Sequence, residues 1–112
     1  MEKLKAIIKA LDDKKGLDLQ VLKVTDLTII ADYFVLATGT SNTHIRALAD
    51  EVEFQLEQQG IKSRNIEGRT TGWILLDYHD IVVHVFLEPE RERYALEKLW
   101  GDAQIINIDD IM

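Results

Sequence analysis

Cysteine is missing from these 112 residues. Disulfides and thiolate metal sites are therefore excluded, and the chain is expected in a reducing compartment, the cytoplasm. Proline occurs once, at Pro89, and the six glycines are scattered, so there is no linker at which the chain could divide. A single domain over residues 1–112 is expected, since compact domains cluster at about 100–150 residues. Long apolar runs are absent too. None approaches the roughly 18 residues of a membrane helix, and Glu2, Lys3, Lys5 and Lys9 interrupt any signal-peptide core. Secretion and membrane spanning are disfavoured. An excess of basic charge is the last absence. Thirteen Lys and Arg face twenty Asp and Glu, for a net charge of -7. Residues 73–112 hold nine acids against Arg91, Arg93 and Lys98, a balance of -6, whereas residues 1–72 come to -1. Such a surface repels phosphate backbones, so direct sequence-specific nucleic-acid binding is not expected, although acids also serve plain solubility.

What is present is a 46% apolar fraction arranged with clear periods. Leu4, Ile7, Ile8 and Leu11 follow the i, i+3, i+4, i+7 spacing of a helix that Gly16 can end in the left-handed conformation. Leu17, Leu19 and Val21 alternate with Asp18 and Gln20 as a half-buried strand does, and residues 33–38 (YFVLAT) form a second strand. Ser41 or Asn42 can cap a second helix carrying Ile45, Leu48, Ala49, Val52 and Leu56, with Gly60 as its stop. Residues 63–72 (SRNIEGRTTG) read as a loop in which Ile66 could anchor a short strand. Pro89 starts a third helix with Ala95, Leu96, Leu99 and Trp100 on its apolar face, and Ile105, Ile106 and Ile108 suggest a last strand. The expected fold is α/β (α+β): a mixed sheet packed with helices in the order αββαββαβ.

Residues 73–76 and 81–86 are strand-like on either side of Asp77, Tyr78, His79 and Asp80, which makes a hairpin. With Tyr78 and His79 as a two-residue loop, Asp77 faces Asp80, Leu75 faces Val82 and Trp73 faces His84. Period two then gives one wholly apolar face of Ile74, Leu76, Ile81, Val83 and Val85, suited to the core. The other face holds Trp73, Leu75, Asp77, Asp80, Val82, His84 and Phe86. It reads either as an aromatic docking patch with an acidic rim or as a surface covered by another helix of the same chain. Periodicity does not choose between them.

Catalytic signatures are sparse. Gly39, Thr40 and Ser41 between a strand and a helix could cradle an anion, but the P-loop lysine and the dinucleotide glycine spacing are missing. A nucleotidyltransferase-like enzyme would use Gly39 and Ser41 with Asp77 and Asp80 to hold metal ions near phosphates. Residues 73–76 lack the required acid-x-acid pair, so no catalytic residue is assigned. His44, His79 and His84 lack metal-ligand spacing. His44 is expected at the solvent-facing start of its helix and His84 beside Trp73. No metal and no cofactor are expected.

Three segments together, 32–52 (DYFVLATGTSNTHIRALADEV), 72–86 (GWILLDYHDIVVHVF) and 91–100 (RERYALEKLW), resemble the Iojap, or ribosomal silencing factor, family. The resemblance implies a nucleotidyltransferase-like α/β domain without catalytic acids. It implies a factor, not an enzyme, that binds the large ribosomal subunit at its protein fourteen, a basic ribosomal protein, and blocks joining of the small subunit. Translation is then repressed when nutrients are short. Carried over residue by residue, the docking surface would include Trp73, Leu75, Asp77, Tyr78 and Asp80; the face argument adds Val82 and His84. A homodimer of the free protein is also implied. One position departs from the family pattern. His79 stands where glycine is usual, at a loop position expected to need φ > 0, which predicts a loop wider than two residues and a shifted pairing.

Overall fold

A computed structural model describes residues 2–28, 31–68 and 72–111, with only the backbone of Leu99. Helix α1 (Glu2–Asp13) buries Leu4, Ile7, Ile8 and Leu11 as their spacing predicts, and adds Ala6 and Ala10. Its end is a Schellman motif in which Lys15 N–H donates to Asp12 O at 2.9 Å and Gly16 N–H to Leu11 O at 2.8 Å. The left-handed residue is Lys15, at φ 61°, and not Gly16 as expected. Gly16 is required for space instead: a Cβ there would stand 3.1 Å from Leu11 O and 3.3 Å from Leu48 Cδ2. Helix α2 (Asn42–Gln58) is capped by Ser41 and buries Ile45, Leu48, Ala49, Val52 and Leu56. It stops at Gly60 with φ 77°, where Ile61 N–H reaches back to Leu56 O at 2.9 Å.

The sheet contains β1 (Leu17–Lys23), β2 (Tyr33–Gly39), β3 (Asn65–Glu67), β4 (Trp73–Asp77), β5 (Ile81–Leu87) and β6 (Gln104–Ile106) in the spatial order β3-β4-β5-β2-β1-β6. Only β2 and β5 pair in parallel, joined through α2, β3 and β4; the other neighbours are antiparallel. This is the mixed sheet expected, with three refinements. Ile66 does anchor a strand, β3, within the predicted loop, of which Arg69, Thr70 and Thr71 lie outside the described residues. The third helix is two, α3 (Glu88–Tyr94) and α4 (Leu96–Leu99), broken where Ala95 takes left-handed angles of φ 45° and ψ 52°. The expected apolar role of the Leu99 side chain lies outside what is described. Ile108 does not extend β6: Asn107 Oδ1 accepts from Asp109 N–H at 2.9 Å, which turns the chain into α5 (Ile108–Ile111).

Helices α1 and α2 cover one face of the sheet and build the larger core, including Val35, Ala37, Ile74, Leu76, Ile81, Val83 and Val85. The predicted core face of the hairpin is thus buried throughout, each such Ile, Leu or Val contributing about 1.5–3 kcal/mol of transfer free energy. A smaller core of Leu22, Val24, Ala31, Phe34, Leu36, Val82, Phe86 and Leu96 occupies the opposite face. Covering both faces explains why β2 and β5 read as almost unbroken apolar runs.

Arg91 ties the second layer to the sheet. Its Nη1 donates to Asp18 O and to Thr38 Oγ1, both at 2.8 Å, while Nε and Nη2 donate to Glu97 Oε2 at 3.0 and 2.7 Å. The guanidinium also lies 5.7 Å from the Phe86 ring centroid. One buried cation therefore joins α3, α4, β1 and β2.

Candidate functional site

The hairpin turns at His79 and Asp80, not at Tyr78 and His79. Tyr78 N–H donates to Ile81 O at 2.9 Å, so the loop is two residues long and displaced by one position, not widened. The pairing moves by two residues: Trp73 faces Phe86, Leu75 faces His84 and Asp77 faces Val82. A shift of two preserves the faces, because the side-chain period of a strand is also two. The cause is Tyr78, which shares the phase of Ile74 and Leu76 and is only 1% exposed. Placing its ring in the core pushes the turn onward to His79, whose φ of 71° is the left-handed value foreseen for that position. Asp77 Oδ1 supports the turn by accepting from His79 N–H at 2.9 Å.

Burial sorts the expected docking residues. Tyr78 lies in the larger core, and Val82 and His84, at 7% and 5% exposed, lie under the second layer, so these three present no free surface. Phe86 is wholly buried. The covered-face reading therefore holds for the β5 side of this face. Trp73 and Leu75, on the outer strand of the hairpin, stay half-exposed.

The acidic rim is also placed differently. Asp80 accepts an ion pair from Lys3 of α1 at 2.6 Å, and Asp77 pairs with Arg64 at 2.8 Å. Burial alone would raise the Asp77 carboxyl, but hydrogen bonds from Arg64 and from His79 N–H, with the Arg64 charge, hold it below the usual carboxylate range. Both acids are thus paired within the chain, with the Asp80 side chain still half-exposed. Glu67, across β3 from Leu75, and Glu90 of α3 supply the acidity beside Trp73 instead. Together with Gly68, Gly72, Trp73, Leu75 and Tyr94 they line an open groove of about 550 Å³.

Tyr94 was not legible as a site residue. It is 47% exposed, and its ring centroid lies 4.5 Å from that of Trp73. Inward from this pair the aromatic contacts continue: Trp73 to Phe86 at 5.6 Å, Trp73 to His84 at 5.7 Å, His84 to Phe34 at 5.2 Å and Phe34 to Trp100 at 5.2 Å. The Trp73 indole Nε1–H donates to His84 Nδ1 at 3.1 Å, which places His84 beside Trp73 as expected. Burial lowers the His84 pKa to about 4.

The catalytic constellation does not assemble. Along the parallel β2–β5 pair, Tyr33 stands beside Ile81 and Gly39 beside Leu87, so Gly39 and Ser41 lie at the opposite end of the sheet from Asp77 and Asp80. Six residue steps at about 3.3 Å separate them by roughly 20 Å. The turn at Gly39 is instead tied to His44. Thr40 N–H donates to His44 Nδ1 at 2.9 Å, and Ser41 Oγ accepts from His44 N–H at 3.1 Å. Gly39 is a packing residue, since a Cβ would fall 2.5 Å from Ile45 Cγ2. His44 does not face solvent freely either: it is half-buried, and its Nε2 lies 2.8 Å from Lys14 O.

Comparison with known proteins bears on the family and the fold. Residues 1–112 match the family described as "Ribosomal silencing factor during starvation". The chain is 40% identical over 107 residues to "Ribosomal silencing factor RsfS" of Bacillus subtilis, covering 95% of this chain and 91% of the relative. It is 33% identical to "Protein Iojap, chloroplastic" of Zea mays, covering 92% of this chain and 45% of that longer protein. Among solved structures, one from Chromobacterium violaceum superposes with a TM-score of 0.87 at 40% identity, covering 89% of this chain and 84% of the other.

Proposed function

The chain belongs to the ribosomal silencing factor family, and from that premise we propose that it binds the large ribosomal subunit at protein fourteen and blocks joining of the small subunit. It thereby represses translation in the cytoplasm when nutrients are short. No bond is made or broken in this reading; the protein acts by occupying a surface.

The observation that carries the site is the half-exposed Trp73 packed, tilted by 48°, against exposed Tyr94 in a groove edged by Glu67 and Glu90. Aromatic anchors dominate interface energies, and a guanidinium or ammonium laid on an aromatic face beside carboxylates gains from both. The groove therefore suits a basic segment of a ribosomal protein, in keeping with the net charge of -7. Trp73, Leu75 and Tyr94 make the contact, whereas Asp77 and Asp80 act through the shape of the hairpin.

Co-sedimentation with purified large subunits tests this directly. A hot-spot tryptophan is worth about 2 kcal/mol or more, so Trp73→Ala should weaken binding roughly thirtyfold. Tyr94→Ala should weaken it less, and rising salt should weaken wild-type binding. In a subunit-joining assay the wild-type protein should hold the subunits apart. A correctly folded Trp73→Ala variant that co-sediments unchanged would refute the site, and unimpaired joining at saturating protein would refute the mechanism. Self-association of the free protein belongs to the same proposal and is read by analytical ultracentrifugation across a dilution series.

A further inference from the structure

His84 is only 5% exposed, yet its Nδ1 receives the indole N–H of half-exposed Trp73 of β4, at 3.1 Å. Leu75 is its direct cross-strand neighbour, so Trp73 reaches it diagonally from two residues away. We propose that His84 is a positioning residue of the docking face: by accepting the indole N–H it fixes the rotation of Trp73, so that the nitrogen edge turns inward and the ring is held against Tyr94. The inference rests on the reading of the Trp73 groove as the ribosome-contacting surface.

The choice of histidine is what the core alone does not explain. With Nδ1 as the acceptor, the proton of the neutral ring sits on Nε2. That nitrogen is buried with no hydrogen-bond partner among the described residues, and the Phe34 ring lies 5.2 Å away, crossed at 75°. An apolar side chain would avoid leaving a buried N–H unpaired. The hydrogen bond that histidine adds at this position is the one at Nδ1. Because burial also keeps the ring neutral at ordinary pH, that acceptor is always available. The benefit to binding is preorganisation. A large aromatic side chain already fixed in one rotamer loses less freedom when a partner closes over it.

Nitrogen-15 NMR of the wild-type protein supplies the first arm of the test. His84 Nδ1 should resonate as an unprotonated nitrogen, and the Trp73 indole proton should exchange slowly; a protonated Nδ1 or a freely exchanging indole overturns the proposal. The second arm compares His84→Leu, which drops the acceptor, with His84→Asn, whose Oδ1 stands near the position of Nδ1. His84→Leu should bind large subunits roughly three- to tenfold more weakly, with a shifted and faster-exchanging indole, and His84→Asn should restore both. Wild-type affinity in His84→Leu overturns the proposal. So does equal weakening of both variants with the indole resonance unmoved, which would make His84 a core residue only. If His84→Leu does not fold, the wild-type spectra and His84→Asn decide. Wild-type protein that fails to bind large subunits would instead refute the docking reading, with the NMR arm still deciding whether His84 orients Trp73.

Discussion

Acidifying the protein from pH 7 to pH 4 should cost about 3 kcal/mol of stability through His84 alone. Burial lowers this imidazole to about 4 in the folded protein, against an ordinary value of 6.5. A gap of about 2.5 in pKa, at about 1.36 kcal/mol for each, gives that figure. The sign follows from which state takes up the proton. Between pH 6.5 and pH 4 the unfolded chain binds a proton at His84 and the folded chain does not, so acid favours unfolding. The contribution is complete above about 6.5, shrinks as the pH falls and is gone near 4. Against a total stability of about 5–15 kcal/mol, the loss is large enough to measure. Urea unfolding followed by circular dichroism at half-unit steps from pH 7 to pH 4 provides the curve, and His84→Asn, which cannot titrate, provides the control. Every other ionisable group is common to the two proteins and cancels in the difference. Asp77, held below the usual carboxylate range, adds a loss only as the pH falls through and below that range, again in both. The wild-type curve should fall by about 3 kcal/mol more than the variant's as the pH drops; curves that stay parallel to within about 1 kcal/mol would refute the account of a buried neutral His84.

Three further predictions concern the frame around the groove. His79→Gly should stabilise the fold by about 1 kcal/mol and raise the melting temperature by several degrees, because glycine occupies the left-handed region at φ 71° without strain; a lower temperature in calorimetry would contradict this. Gly39→Ala should destabilise by about 1–3 kcal/mol, since its Cβ would overlap Ile45 Cγ2 at 2.5 Å and force α2 from β2; an unmoved urea midpoint would show that the helix yields freely. Arg91→Ala should cost about 2–3 kcal/mol, leaving buried Thr38 and the Asp18 carbonyl without their donor while Glu97, 35% exposed, can turn to water. It should also loosen Tyr94, seen as faster amide exchange across α3, and protection equal to wild type would count against that tie.

Much of the fold was legible because it rests on local periods. The stripes of α1 and α2 and the apolar phase of the hairpin are each set by residues within a few positions of one another, and burial follows them residue for residue. Even the turn error had a local remedy, since Tyr78 carries the phase of Ile74 and Leu76. The acidic rim had none. Asp77 and Asp80 look like a free pair in sequence, but their cations come from Arg64, thirteen positions away, and Lys3, seventy-seven positions away.

The sequence by itself determined the two long helices, the strands of the hairpin and which face of that hairpin enters the main core, because hydrophobic period and cap chemistry act over one or two turns of chain. It also carried the family in its three segments. Only the tertiary structure decided what became of the second face. The break at Ala95 sets α3 and α4 across β5, burying His84 and Phe86 while leaving Trp73 beside Tyr94 at the edge. That division between covered and offered aromatic surface depends on how two distant segments close over one sheet, and no local pattern records it.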